Sequence, residues 1–170
     1  TNIYGPNDNF DELNAHVIPA LITKCVYSKQ NQSPFVVNGS GKARRQFVYS
    51  RDVARIMLEI LTTEKYNTVP TNMIISTPIS QEVSIKTCAE TIATILENDQ
   101  PIQFDTDKTD GQMKKTVDTS LFENTFHDFN FTSLKEGLVH AIQFYLLKLS
   151  HETKISANSS KFMDSELIPM

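Results

Sequence analysis

The chain has 170 residues, a formal net charge of −4, 39% hydrophobic and 21% charged residues, a balance that suits one ordinary soluble unit with its own core. It lacks the surplus of Lys and Arg that a nucleic-acid binder needs to neutralise phosphates, and no apolar run approaches the length of a membrane span. The two cysteines, Cys25 and Cys88, show no C-x-x-C spacing, and His16, His127, His140 and His151 are scattered; they predict reduced core thiols in a cytoplasmic protein and no metal site.

In chain order, T-N-I-Y reads as a short strand running straight into the turn Gly5-Pro6-Asn7-Asp8-Asn9, a stretch that usually ends an element. Ile18, Leu21, Ile22, Cys25 and Val26 recur at helical spacing, so a helix is expected from about residue 15 to 30, capped by Asn14 and with Pro19 in its first turn. P-F-V-V and R-Q-F-V-Y follow as two strands around the glycine turn N-G-S-G-K. S-R-D-V-A-R-I-M-L-E-I-L-T-T-E-K-Y predicts a second helix capped by Ser50, with Val53, Ile56, Met57, Ile60 and Leu61 on one stripe, and M-I-I-S-T at 73–77 predicts a buried strand.

A third helix is expected over V-S-I-K-T-C-A-E-T-I-A-T-I-L-E-N-D, with Ser84 and Thr87 as a capping pair. P-I-Q-F-D is another strand, and the polar D-T-D-K-T-D-G-Q-M-K-K is a loop. A long helix capped by Thr132 runs through Leu134, Leu138, Ala141, Ile142, Tyr145 and Leu149, after which residues 151–170 lose the periodicity and are expected to fray. The sum is an α/β unit over 1–150 in which T-N-I-Y and M-I-I-S-T form the edge of a larger parallel sheet whose other strands are absent. No G-x-G-x-x-G or G-x-x-G-x-x-G occurs, so binding of cofactor phosphates is not assigned to these residues.

Three places carry chemistry. Around 38–54, N-G-S-G-K-A-R-R-Q-F-V-Y-S-R-D-V-A is either a hairpin with a basic, solvated tip or a grip in which Arg45, with Arg44 and Lys42, holds a diphosphate, for which a planar guanidinium is geometrically suited. His16 at the helix start is either a capping residue or a proton donor at the positive end of the dipole; Lys24 lies about 80° around the helix from it, so one ligand can touch both. Asp110 is either an Asp-Gly turn residue or an acceptor for sugar hydroxyls.

The ordered set TNIYGPNDNF, HVIPALITK, NGSGKARRQFVYSRDVA, EVSIK and FDTDKTDGQMKKT resembles the C-terminal half of the GDP-L-fucose synthases, extended short-chain dehydrogenases. The likeness runs from residue 1 to about 149. It implies the substrate-binding part of such an enzyme, whose strands complete a Rossmann-type sheet and whose N-terminal half, binding NADP(H) and carrying the Ser, Tyr-x-x-x-Lys and Cys residues, is missing. It further implies C3/C5 epimerisation of a GDP-4-keto-6-deoxy-mannose and NADPH-dependent reduction at C4. His16 matches the acid-base histidine; Thr1, Asn2 and Ile3, with His16, match the nicotinamide side of the cofactor; Lys24, Arg45 and Asp110 match contacts to the GDP-sugar. Asn38 stands where the family commonly has Trp. The resemblance implies a homodimer built mainly through helices of the other half. A related nucleotide-sugar epimerase or dehydratase, and a non-catalytic nucleotide-sugar binding module, are the alternative readings.

Overall fold

A computed structural model describes residues 1–11, 14–63, 67–70 and 72–165, with side chains as far as Glu152. The elements are β1 (Asn2–Tyr4), α1 (Val17–Asn31), β2 (Phe35–Asn38), β3 (Arg44–Arg45), β4 (Phe47–Tyr49), α2 (Ser50–Thr62), β5 (Val83–Ser84), α3 (Ile85–Ile95), β6 (Ile102–Asp105), β7 (Lys114–Lys115), α4 (Ser120–Thr125) and α5 (Leu134–Ser165). The architecture is α/β with parallel pairing. β1 lies parallel to β4, β2 parallel to β6, and β3 sits between antiparallel β5 and parallel β7.

The expected turn-linked pair around N-G-S-G-K is therefore not a hairpin. β2 and β4 leave the glycine turn for different sheets, each taking a partner from elsewhere in the chain: Phe35 to Asn38 align with Ile102 to Asp105, and Asn2 to Tyr4 with Phe47 to Tyr49. The M-I-I-S-T strand also fails. Residues 73–78 join no ladder, Ile74 is half exposed, and the backbone oxygens of Ile75 and Thr77 are taken by the side chains of Thr1 and Gln46. An apolar run supplies burial but not a neighbouring strand, and without one no ladder forms.

α1 buries the expected stripe of Ile18, Leu21, Ile22, Cys25 and Val26 and packs on β2 and α3, while α5 packs on α3 and β4. These faces close the main core around Phe35, Val37, Ile92, Leu138 and Ile142. Both thiols lie inside it, and burial pushes that of Cys88 up to about 12. A second cluster gathers Ile56 of α2 with Phe122 of α4, an element the sequence reading leaves out, and with Phe126 just after it.

The helix ends differ from expectation in three places. His16, not Asn14, is the cap residue of α1; its backbone is extended and its side chain makes no capping bond, while the Asn14 amide donates to Asp11. Tyr49 occupies the α2 cap position because β4 runs directly into the helix, leaving Ser50 as the first helical residue; Met57 and Leu61 of its expected stripe face solvent, and the predicted reach to Tyr66 falls on residues outside those described. At α5, Ser133 accepts from the Glu136 N–H, because the N–H and hydroxyl of Thr132 are both committed to Asp52. Ser84 does cap α3, accepting from the Thr87 N–H at 3.0 Å. α5 is helical as far as Ser165, and residues 166–170 of the expected tail lie outside those described.

Two buried polar side chains fix how the sheets meet. Gln46, 1% exposed, donates to the Thr77 carbonyl at 2.6 Å and accepts from the Val117 N–H at 2.8 Å. Glu82 accepts from the Thr116 hydroxyl at 2.5 Å and from Arg44 Nε at 3.0 Å. The Thr116 bond first, with Arg44 adding to it, holds the Glu82 carboxyl below the ordinary glutamate value. A depressed native value means that this stabilisation is fully present above the ordinary value of 4.5 and is lost as pH falls through the native one. Melting temperature should accordingly drop on acidification below that point, and Glu82→Gln should be less stable at neutral pH but show a flatter acid limb; a variant whose acid profile parallels the native one removes Glu82 from the linkage.

Candidate functional site

The end of β2, the glycine turn after it, β3, the start of α3 and the loop after β6 converge on the N-terminal half of α1. The turn is built for close approach. Gly39 and Gly41 sit at φ +82 and +72, in the left-handed region, and a Cβ on either would run into the Asp110 carboxylate or the Phe104 ring respectively. Carbonyls of the same loop cover the α3 terminus: Lys86 N–H donates to Gly41 O and Ile85 N–H to Ala43 O.

Together they enclose a cleft of about 260 Å³ whose walls include Lys24, Asn38, Arg45 and Asp110, with Val17 and Ile85 as apolar floor. All four residues expected to meet a ligand are thus brought to one place from three separate segments. Lys24 Nζ donates to Asn38 Oδ1 at 2.9 Å. An indole at position 38 has no acceptor to offer this ammonium, whereas the Asn amide oxygen does. Arg45 Nη1 is steadied by the Arg44 carbonyl at 2.7 Å.

Asp110 Oδ1 accepts from the Ser40 N–H at 2.7 Å and Oδ2 from the Ser40 hydroxyl at 2.6 Å. The hydroxyl bond, then the backbone bonds from Ser40 and Gly41, hold its carboxyl below the usual aspartate value. Asp110 precedes Gly111, which adopts φ +64, as in the Asp-Gly reading.

His16 stands at the rim, between two residues that line the cleft, Ala15 and Val17. Its ring is 85% exposed, with Nδ1 3.9 Å from Asp8 Oδ1. Asp8 was not expected; the Gly-Pro-Asn-Asp turn, with Asn7 at φ 66, is the sequence signal that folds it back. Of the three residues matched to the nicotinamide side, Ile3 is half exposed, while the Thr1 hydroxyl and Asn2 amide are spent on the carbonyls of Ile75 and Gln46.

A further residue the sequence reading missed is Lys115. β7 pairs it with Arg45 and Lys114 with Arg44, so the cation beside the cleft is doubled by register, which no local pattern reveals. A larger groove of about 790 Å³ opens between α1, β2 and α5, lined in part by Thr23, Tyr27, Val36 and Tyr145, and shares only Lys24 with the four-residue site. Among the described residues no three His, Cys, Asp or Glu side chains are grouped to hold a metal, and no helix is long and apolar enough to cross a membrane.

Residues 1–75 match the NAD dependent epimerase/dehydratase family. The GDP-L-fucose synthase of Dictyostelium discoideum is 34% identical over 146 residues, 86% of this chain and 45% of that protein. A probable GDP-L-fucose synthase of Drosophila melanogaster is 35% identical over 152 residues, 85% of this chain and 46% of its own length. The crystal structure of a GDP-L-fucose synthetase from Naegleria fowleri superposes with a TM-score of 0.80 at 35% identity, over 88% of this chain and 45% of that one, and that protein has also been solved bound to NADP. The chain spans about half the length of the curated relatives it matches. Along most of its length the chain is similar in sequence and fold to the GDP-L-fucose synthases, and its first 75 residues match the NAD dependent epimerase/dehydratase family.

Proposed function

We propose that this chain is the C-terminal, substrate-binding part of a GDP-L-fucose synthase, converting GDP-4-keto-6-deoxy-D-mannose to GDP-L-fucose by epimerisation at C3 and C5 and reduction at C4. The observation that carries the reading is the cleft itself, where Lys24, Asn38, Arg45 and Asp110 meet below an exposed His16. Arg45 and Lys24, with Lys115 beside Arg45, hold the diphosphate; that grip, remote from the reacting carbons, fixes the sugar ring beneath His16.

A 4-keto group acidifies the hydrogens at C3 and C5, so a base removes one and an acid returns it on the opposite face. His16 is the acid on this chain, and Asp8 is placed to orient its ring. The base, the glycine-rich phosphate loop and the Tyr-x-x-x-Lys pair belong to a Rossmann-type segment that these 170 residues do not contain. NADP(H), held mainly by that segment, supplies the hydride for C4. This chain would meet its nicotinamide side through Ile3 and His16, whose side chains are exposed, and through the backbone of Thr1 and Asn2. Alone, the chain should not turn over, and a pocket missing one wall should bind ligand weakly.

The test joins this chain to the cofactor-binding half of the Dictyostelium enzyme and follows deuterium uptake from D2O at C3 and C5 of the substrate. His16→Gln should slow uptake by about 100-fold or more while NADPH still binds. Uptake at the unmutated rate in that variant overturns the role of His16, and a folded, NADPH-binding chimera that leaves the GDP-sugar unchanged overturns the reading of the whole chain.

A further inference from the structure

Glu82 carries a buried carboxylate, its side chain 4% exposed, and it is not among the residues that line the cleft. It lies just before β5, and its partners come from the other two strands of the same sheet. One carboxylate oxygen accepts from the hydroxyl of Thr116, the residue after β7. The other accepts from Arg44 Nε at 3.0 Å, and the Glu82 carbonyl accepts from Arg44 Nη2 at 2.6 Å.

The register shows where that carboxylate stands relative to the cleft. β3 pairs Arg44 with Ser84 and Lys114, and Arg45 with Val83 and Lys115. Side chains alternate between the two faces of a strand, so Arg45, Val83 and Lys115 share one face while Arg44, Glu82 and Thr116 share the other. Arg45 lines the cleft and Arg44 does not. Glu82 therefore sits behind the sheet that carries Arg45 at its front.

Two effects reach the cleft from there. β3 is only two residues long, and its ladder with β7 sets Arg44 against Lys114, like charges that weaken a strand pair. Glu82 offsets that weakness with a carboxylate 3.0 Å from Arg44. It also grips the Arg44 guanidinium twice, through side chain and main chain, which fixes the rotation of β3 about its own axis and with it the face that Arg45 presents. The Arg44 carbonyl in turn accepts from Arg45 Nη1 at 2.7 Å. The residue pinned behind the sheet thus supplies the brace in front of it.

We infer that Glu82 is a positioning residue for anion binding: from the far face of the three-stranded sheet it holds Arg44, and through Arg44 it aims Arg45 at the diphosphate. The inference rests on the reading of the ligand as a GDP-sugar and adds the residue that orients the grip on it.

Charge alone gives the opposite sign. Removing a carboxylate near a bound anion favours the anion and frees Arg44 as a further cation, whereas loss of a positioning residue weakens binding. Calorimetry with GDP, at a temperature well below the melting transition of each variant, reads the sign. Glu82→Gln should weaken GDP binding by about tenfold. In an Arg45→Gln background the same substitution should change the affinity by less than about twofold, and in a Lys24→Gln background its loss should recur in full, since coupling is confined to residues of one network. Thr116→Val leaves every charge in place and takes one bond from Glu82; it should weaken binding by about threefold with the same dependence on Arg45, and it decides the matter if Glu82→Gln does not fold. Tighter or unchanged binding overturns the role of Glu82, and so does a loss that persists in full without the Arg45 guanidinium. In either case the unmutated chain still binds GDP and the GDP-sugar reading stands. No binding of GDP by the unmutated chain overturns that reading and the role of Glu82 together.

Discussion

Arg45→Gln should lower the affinity for GDP by roughly 30- to 100-fold, the equivalent of about 2–3 kcal/mol for a charge-assisted contact to phosphate. Among the cations at the cleft, Arg45 is the one whose guanidinium is braced by a backbone carbonyl and enclosed by the cleft walls. Gln keeps a donor and much of the reach but loses the charge and the two-pronged geometry. Arg45→Lys restores the charge alone and should recover only part of the loss, because an ammonium meets phosphate as a point and a guanidinium as a fork. Calorimetric titration with GDP reads both. A loss below fivefold in Arg45→Gln would move the diphosphate elsewhere in the cleft.

Asp52→Ala should cost about 3 kcal/mol of stability, measured as a lower urea midpoint with an unchanged slope. Asp52 is 1% exposed. Its Oδ2 accepts from the Thr132 N–H at 2.7 Å, and its Oδ1 from the Thr132 hydroxyl and from Arg55, each at 3.0 Å. Truncation leaves the Thr132 donors without an acceptor and unties α2 from the residues that lead into α5. Arg55 is mostly exposed, so Arg55→Ala should cost under about 1 kcal/mol. Equal losses in the two variants would place the energy in the ion pair and not in the tie to Thr132.

The contrast between those two residues also shows where the sequence is legible. Helical spacing gives α1 and its buried stripe, although His16 proves to be the extended residue before the helix and not part of the element that carries Lys24. Ser84 and Thr87 likewise announce the start of α3, three positions apart. What spacing does not carry is the partner of a residue on another element. Asp52 meets Thr132 across 80 positions, and Gln46 meets Thr77 and Val117 across 31 and 71; each looks locally like an ordinary surface polar residue. The same holds within the site. Asn38, Arg45 and Asp110 are individually suggestive, but their meeting depends on β2 pairing with β6, and the hairpin that local pattern favours would have kept Asp110 out. Lys115 becomes visible only through the register of β7, and the M-I-I-S-T run misleads because apolarity reports burial and not a ladder.

The bond from Lys24 to Asn38 has a thermodynamic consequence of its own. A free lysine samples many rotamers, and freezing them on complex formation costs about 1.5–2 kcal/mol. Here the ammonium is already parked at 2.9 Å from an amide oxygen, so much of that ordering is completed when the chain folds. An aromatic neighbour at position 38 would offer a ligand a surface to stack on and leave the lysine to be ordered by the ligand. Asn38 exchanges that surface for a cation that is pre-arranged, and binding here should show a smaller entropic loss and a weaker heat-capacity change than in relatives that carry Trp at this position.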